Sequence, residues 1–238
     1  MLNGFFETLT EQFILNFIDG GRWKFIANGL VVTLKVTLFA AALGIAIGFI
    51  VAFVRTTHDK TGGFKIMNVI CKAYLTVIRG TPVVMQILII YFVIFGSVNI
   101  DKTFVAIIAF GINSGSYVAE IARSGIMSVD NGQFEAGRSL GFNYVQMMWR
   151  IIAPQAFKNV LPALCNEFIT LLKETSVCGY IALQDLAKGG DIIRSVTYSP
   201  FMPLISVALI YLALVTLFTF LTGKLERRLR DSERRFYN

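Results

Sequence analysis

The run from Asn28 to Val54, NGLVVTLKVTLFAAALGIAIGFIVAFV, constrains this chain more than any other feature. Its only charge is Lys35. A run this long and this apolar reads as a membrane-spanning helix, since roughly 18 such residues suffice to cross the hydrocarbon core. The rest of the chain agrees. Charged residues make up 16% of the sequence and hydrophobic ones 55%, where a soluble domain carries about a quarter charged residues. The expected class is therefore an all-α membrane protein with one membrane domain, residues 28–222.

Four further spans follow by the same criterion. The second runs to about Gly96. It is preceded by a stretch whose Ile66, Val69, Ile70, Ala73, Tyr74 and Val77 share one helical face, while Lys65, Asn68 and Lys72 share the other. That stretch reads as an interfacial helix or the foot of the span. Pro82, in RGTP, suits the first turn of a helix and disfavours helix at Thr81. The third span covers about Phe104 to Arg123. Its second half, NSGSYVAEIARS, is too polar for lipid and must face protein or a water-filled cavity. The fourth runs from about Ala156 to Thr175, and the fifth from about Phe201 to Thr222. SVCGYIALQDLAKGGDIIRSVTYSP, between them, reads as a mixed loop, and RTTHDKTGGFK, after span one, as a polar loop. Ala40, Gly44 and Gly48 allow close helix approach in lipid, either within the chain's own bundle or across a dimer. Lys35 can snorkel to the nearer interface.

The loop after span one, the loop between spans three and four, and the tail 223–238 are basic. The positive-inside bias then puts the N-terminus outside and the C-terminus in the cytoplasm. Residues 1–27 lack the basic start of a secretory signal. Phe6, Leu9, Phe13 and Phe17 at helical spacing read as an amphipathic helix on the membrane surface. The net charge of +7 resides in loops and tail, which argues for the inner membrane face and against nucleic acid. In the tail, Arg227, Arg228, Arg230, Arg234 and Arg235 can hold an anionic leaflet or contact a cytoplasmic partner. Cys71, Cys165, Cys178 and the single histidine, His58, have no metal-ligand spacing, so no metal site is expected.

One stretch cannot cross a bilayer. GQFEAGRSLGFNYVQMMWRIIAPQA, Gly132 to Ala156, is half polar and lies in the cytoplasmic block. A helix from about Gln133 should end at Gly141, which tolerates the left-handed conformation. A second should start with Asn143 as N-cap and break at Pro154. Two short helices joined at a glycine form a rigid knob, with Phe134, Leu140, Val145 and Met148 on an apolar face and Glu135, Arg138 and Arg150 for polar contacts. Such a knob can pass force from a soluble partner to the spans.

The pattern Glu135-Ala136-x-x-x-x-Gly141, then nine residues and Ile151-x-x-Pro154, resembles the EAA loop of binding-protein-dependent ATP-binding-cassette importers. Gly137 stands where that family usually has alanine, and Ala153 where it has leucine. NGLVVTLKVTL, RGTPVVMQILIIYF, SYVAEIARSGI, APQAFKNVLPAL and LLKETSVCGYI are similar, in order and spacing, to the polar-amino-acid branch of these permeases. Gly115-Ser116-Tyr117 replaces that branch's GAY, and Lys173-Glu174-Thr175-Ser176 replaces its KDTS.

The resemblance implies a type I importer permease fold of five transmembrane helices with a cytoplasmic coupling helix, about residues 130–154, in a bacterial inner membrane. Glu135, Ala136, Gly137, Gly141, Ile151 and Pro154 would then form the ATPase coupling motif. The implied partners are an ATPase dimer, a second permease copy or a paralogue, an extracytoplasmic solute-binding protein and an amino acid. ATP and Mg would sit on the ATPase, with no cofactor on this chain, which has no G-x-x-x-x-G-K-[ST].

A polar solute needs polar groups near the midplane. The candidates are Gln86, Asn113, Ser114, Ser116, Tyr117, Glu120, Glu167, Lys173, Glu174 and Thr175. Lys173 and Glu174 offer a zwitterion both signs, or they pair with each other or with Arg79 to hold helices together. Glu120 with Arg123 is expected to form a gate or packing pair, with Arg79 and Glu167 in similar roles. A channel or an ion-coupled carrier would not need the knob. No catalytic triad, carboxylate pair or HExxH supports an enzyme. An importer for methionine or an anion is the nearest alternative.

Overall fold

The computed structural model describes residues 9–237, with side chains placed from Leu9 to Leu229. Every regular element among the described residues is helical. We number the main helices α1 (Trp23–Thr61), α2 (Lys65–Gly80), α3 (Val83–Ile89), α4 (Lys102–Met127), α5 (Asn131–Ser139), α6 (Tyr144–Met147), α7 (Ala153–Glu174), α8 (Leu186–Thr197) and α9 (Phe201–Tyr237). Helices α1, α4 and α9 are each long and apolar enough to cross a bilayer. The pair α2 and α3, with its π-type continuation to Ile94, qualifies together but is bent by 109°. At 22 residues α7 has the length of a span, but it carries Lys158, Glu167, Lys173 and Glu174 and is not apolar enough to qualify alone.

α1 is the largest departure from the sequence reading. The polar stretch after Val54 is not a loop but its last two turns. Polarity marks where a helix leaves lipid, not where it ends. The end comes at Gly62, in the left-handed region at φ 70°, whose N–H reaches the His58 carbonyl at 2.8 Å. His58 is therefore helical, with Nδ1 2.8 Å from the Gly63 carbonyl oxygen. With 39 residues, α1 is about 58 Å long at 1.5 Å per residue, nearly twice the roughly 30 Å hydrocarbon thickness.

The small residues of α1 serve its own bundle. A Cβ on Gly44 would lie 3.0 Å from the Ser114 side chain, and one on Gly48 2.5 Å from Val118 Cγ1. In return α4 offers Gly111 to Leu43 and Gly115 to Ile47. These interlocked glycines bring the two helices into backbone-close contact. The polar half of α4 is accordingly buried: Asn113, Ser114 and Ser116 are all below 4% exposed.

At Thr81, extended as a residue before proline should be, the α2–α3 segment turns sharply. Helix α2 is pinned to α4 by the Tyr74 hydroxyl, which donates to the Ile112 carbonyl at 2.6 Å. Two further expectations are corrected, the loop before α9 and the break at Pro154. The "loop" before α9 contains a 3-10 turn, Thr175–Ile181, and the helix α8, whose Leu186, Gly189, Gly190 and Ile193 are buried. The basic tail continues α9 as helix to Tyr237. Pro154 breaks nothing: a π-type turn, Met148–Ile152, runs into α7 with Pro154 in its first turn, where a missing N–H is tolerated. At the N-terminus Phe6 lies outside the described residues. The described part packs on the end of α8: buried Asn16 accepts from Thr197 Oγ1 at 2.8 Å and donates to Ser199 Oγ at 3.2 Å.

Candidate functional site

The knob forms largely as its sequence suggests. Asp130 caps α5 by accepting from Gly132 N–H at 2.6 Å. Helix α5 stops at Ser139, and Gly141 turns the chain at φ 79°. Asn143 and Gln146 then close a reciprocal capping box at the start of α6, at 2.9 and 3.1 Å. The apolar face divides, however. Phe134 and Met148 turn inward with Met147, Ile152 and Ala156 to make the knob's own small core. Leu140 and Val145 turn outward, joined by Trp149, at 74%, 58% and 71% exposed. Glu135 and Ala136 are exposed and Gly137 is buried. The atoms nearest a Cβ on Gly137 would be side-chain ones: the Met147 sulfur at 3.0 Å, and Ile151 Cδ1 and Met147 Cγ at 3.2 Å. An alanine there asks those flexible tips to shift by a few tenths of an ångström. Gly141 and Pro154 are exposed and Ile151 is half-buried.

Above the knob lies a charged junction that the sequence reading only partly anticipated. Glu120 and Arg123 do not pair with each other. Glu120 accepts from Arg55 on α1, with Arg79 on α2 at 3.8 Å. Arg123 donates to Asp59 on α1 at 3.0 Å. The cause is the helical extension of α1, which brings Arg55 and Asp59, one turn apart, to the same flank of α4. That i, i+4 spacing was visible in the sequence, but a loop assignment hid it. Arg55, Lys72, Arg79 and Glu120 line a cavity of about 490 Å³ with Leu75 and Thr76. Beside it, the Arg79 guanidinium lies 5.6 Å from the Tyr117 ring centre.

The expected solute-facing residues separate into two sets. Gln86 is spent on holding the α2–α3 break. Its amide nitrogen donates to the carbonyls of Ile78 at 2.7 Å and Thr81 at 3.0 Å, and its oxygen accepts from Asn113 at 2.9 Å. Ser116 Oγ donates to the Asn113 carbonyl at 2.8 Å and Thr175 Oγ1 to that of Leu172 at 2.8 Å. All four are buried. The second set stays reachable: Tyr117 and Lys173 are exposed and Glu174 is half-buried. Among the described residues neither Lys173 nor Glu174 has an ion-pair partner within 4.0 Å, so the expected pairing with Arg79 or with each other is absent. Glu167, two turns before Glu174 on α7, accepts from Ser114 Oγ at 2.8 Å.

At the opposite end from the knob, Asp185 is fully buried and caps α8 through Lys188 N–H at 3.0 Å and Ala187 N–H at 3.2 Å. Burial pushes its carboxyl up to about 6, against the pull of these donors. Asp191, near the surface, is held below the usual carboxylate range by Lys188 and Arg194, which both donate to it.

The chain as a whole is matched by known proteins. The sequence profile of the binding-protein-dependent transport system inner membrane component covers residues 44–231. The chain belongs to that family. As an inner membrane component it is a permease subunit that works with a solute-binding protein and an ATPase, and the family's own part is not catalytic. The arginine transport system permease protein ArtQ of Bacillus subtilis is 38% identical over 211 residues, 88% of this permease and 94% of that protein. The glutamine transport system permease protein GlnP of Escherichia coli is 33% identical over 208 residues, 86% of this chain and 93% of its own. A solved amino acid ABC transporter crystallised with histidines superposes with a TM-score of 0.80 at 40% identity, covering 89% of this permease and 98% of that chain. An inward-facing MetNI methionine transporter, at 19% identity and a TM-score of 0.72, shares the fold.

Proposed function

We propose that this permease forms the membrane path of an ATP-driven importer that carries a polar amino acid into the cytoplasm by alternating access. The observation that supports an amino acid is the presence of both signs of charge among the packed helices. Arg55, Lys72 and Arg79 surround the cavity beside Glu120, and Glu167 and Glu174 stand two turns apart on α7. A zwitterion needs a cation for its carboxylate and an anion for its ammonium, and these groups supply both. Tyr117, Lys173 and Glu174 are the residues we assign to the solute; Gln86, Asn113, Ser116 and Thr175 shape the path. The names of the arginine and glutamine relatives point the same way.

In this reading α7 is the fourth of five spans, the N-terminus is outside and the C-terminus inside. The permease works as a pair, with itself or a paralogue, over two ATPase subunits that hold ATP and Mg. Exposed Leu140, Val145 and Trp149, beside Glu135 and Ala136, form the docking face for one ATPase subunit. An exposed apolar patch rimmed by polar groups is what such a contact uses. ATP binding closes the ATPase dimer, draws the knobs together and shifts the spans between two packed states. Arg227 and Arg228 hold the anionic leaflet.

The test is uptake into proteoliposomes holding the permease and its ATPase, with binding protein outside and ATP inside, across a panel of amino acids that includes methionine. Uptake of a polar amino acid that requires both ATP and binding protein, and is lost in Glu135→Arg, is expected. Uptake that persists without ATP would instead make this an ion-coupled carrier, and uptake of methionine alone would move it to another importer branch.

A further inference from the structure

The last two turns of α1 touch both the knob and the charged junction. Lys60 Nζ sits 4.5 Å from the centre of the Phe134 ring on α5, within the range of a cation–π contact. Thr57, buried at 7% exposure, lies beside Tyr144 of α6. One turn back from Asp59, which holds Arg123, Arg55 holds Glu120. Contacts to the knob and contacts to the junction thus leave from a single helical stretch, Arg55–Thr61. Its backbone is continuous with the membrane span, so it cannot follow the knob without moving the junction. A helix of intact hydrogen bonds is stiff over two turns, whereas a loop would absorb the displacement.

The junction is also loosely satisfied. The buried Thr56 hydroxyl and the Nε atoms of Arg55 and Arg123 lack hydrogen-bond partners in this arrangement. Donors and acceptors left over at one junction are what an element with a second arrangement requires, because they can be satisfied in the other one.

We infer that the α1 extension, Arg55–Thr61, is a second coupling element that carries knob movement straight to the Arg55–Glu120–Arg79 junction, with Asp59 and Lys60 as its positioning residues. The inference rests on the importer reading and adds a route to Glu120 and Arg123 that does not run through the chain connections from α4 and α7 into the knob.

The experiment uses the assembled complex with its ATPase. In Asp59→Asn/Lys60→Met, the complex should assemble and hydrolyse ATP at its basal rate, while solute moved per ATP falls about tenfold. Lys60→Arg, which keeps the cation, should retain wild-type coupling. The exchange Asp59→Arg with Arg123→Asp should recover coupling lost by either change alone. A solute-independent readout accompanies it: spin labels at Thr61→Cys and Gln133→Cys, in a background without Cys71 and Cys165. Their separation should stay constant when nucleotide binds to the wild-type background and should change in the double variant. Unaltered transport per ATP in the double variant overturns the inference, as does a 61-to-133 separation that shifts with nucleotide in the unmutated extension. If the wild-type complex takes up no solute, the importer reading fails, and the label pair alone decides whether the extension moves with the knob.

Discussion

The two ends of this permease are held by different physics. At the end away from the knob, backbones touch. A Cβ on Gly29 would lie 2.5 Å from the Asp185 carbonyl oxygen, and one on Gly189 2.5 Å from that of Phe25. Thr33 Oγ1 accepts from Leu186 N–H at 3.0 Å, and Asn16 ties Thr197 and Ser199 to the N-terminal segment. At the knob end, long charged side chains meet: Arg55, Arg79 and Glu120, and Asp59 with Arg123. Backbone contact through glycine has one solution, because nothing in it can rotate. Ion pairs between flexible side chains have several solutions, at small differences in energy. Backbone contact at Gly29 and Gly189 therefore leaves fewer arrangements than the side-chain pairs around Glu120.

Gly29→Ala or Gly189→Ala should break the rigid end. A backbone oxygen cannot yield as a side-chain tip can, so the loss should reach the upper part of the roughly 1–3 kcal/mol typical of overpacking, read as a lower melting temperature of the purified complex. A wild-type melting curve would mean that this end is as adaptable as the other.

Asp185→Asn should strengthen the same end. The folded pKa of about 6 lies above the unfolded value of 3.8. Between those values the folded state holds more protons, so stability falls as pH rises from about 4 to 6 and stays low above it. Asparagine caps a helix as well and carries no charge. The variant should be more stable at pH 7.5 by on the order of 2 kcal/mol, since a tenfold change in proton affinity is worth about 1.4 kcal/mol. Its melting temperature should lose the decline between pH 4 and 6.

Glu120→Gln tests the adaptable end. With its side chain one third exposed, the pairs it makes should contribute no more than about 1 kcal/mol, so melting should barely change. Transport per ATP should change clearly, since Arg55 and Arg79 lose their shared anion. A large fall in melting temperature would show the knob end to be structural after all.

Smallest of all is Gly137→Ala. Helix propensity favours alanine by about 1 kcal/mol, offset by the shifts asked of Met147 and Ile151. The net effect on melting should be near zero or slightly positive, with ATPase coupling kept.

Much of the knob was legible because its signals are local: Asn143 as an N-cap, a glycine where α5 ends, and apolar spacing between them. The burial of Asn113, Ser114 and Ser116 followed from polarity inside an apolar run. What failed was any step that depended on a partner distant in sequence. Glu120 and Arg123 look like a pair at three residues' spacing, yet each finds a better-placed partner on α1. Gln86 looks like a solute ligand, yet the bend at Pro82 leaves carbonyls that its amide satisfies.

By itself, then, the sequence determined the class of solvent, the existence of the main spans, the small-residue seam on α1 and the capped knob. Each of these depends on hydrophobicity or on contacts within a few residues. Only the tertiary structure decided which helix the seam meets, that residues 55–61 extend α1, that the segment before α9 folds as α8, and which charges pair. Those outcomes depend on where two distant backbones approach. A polar stretch leaving the membrane can be loop or helix at nearly equal local cost, and the contacts it makes on arrival select between them.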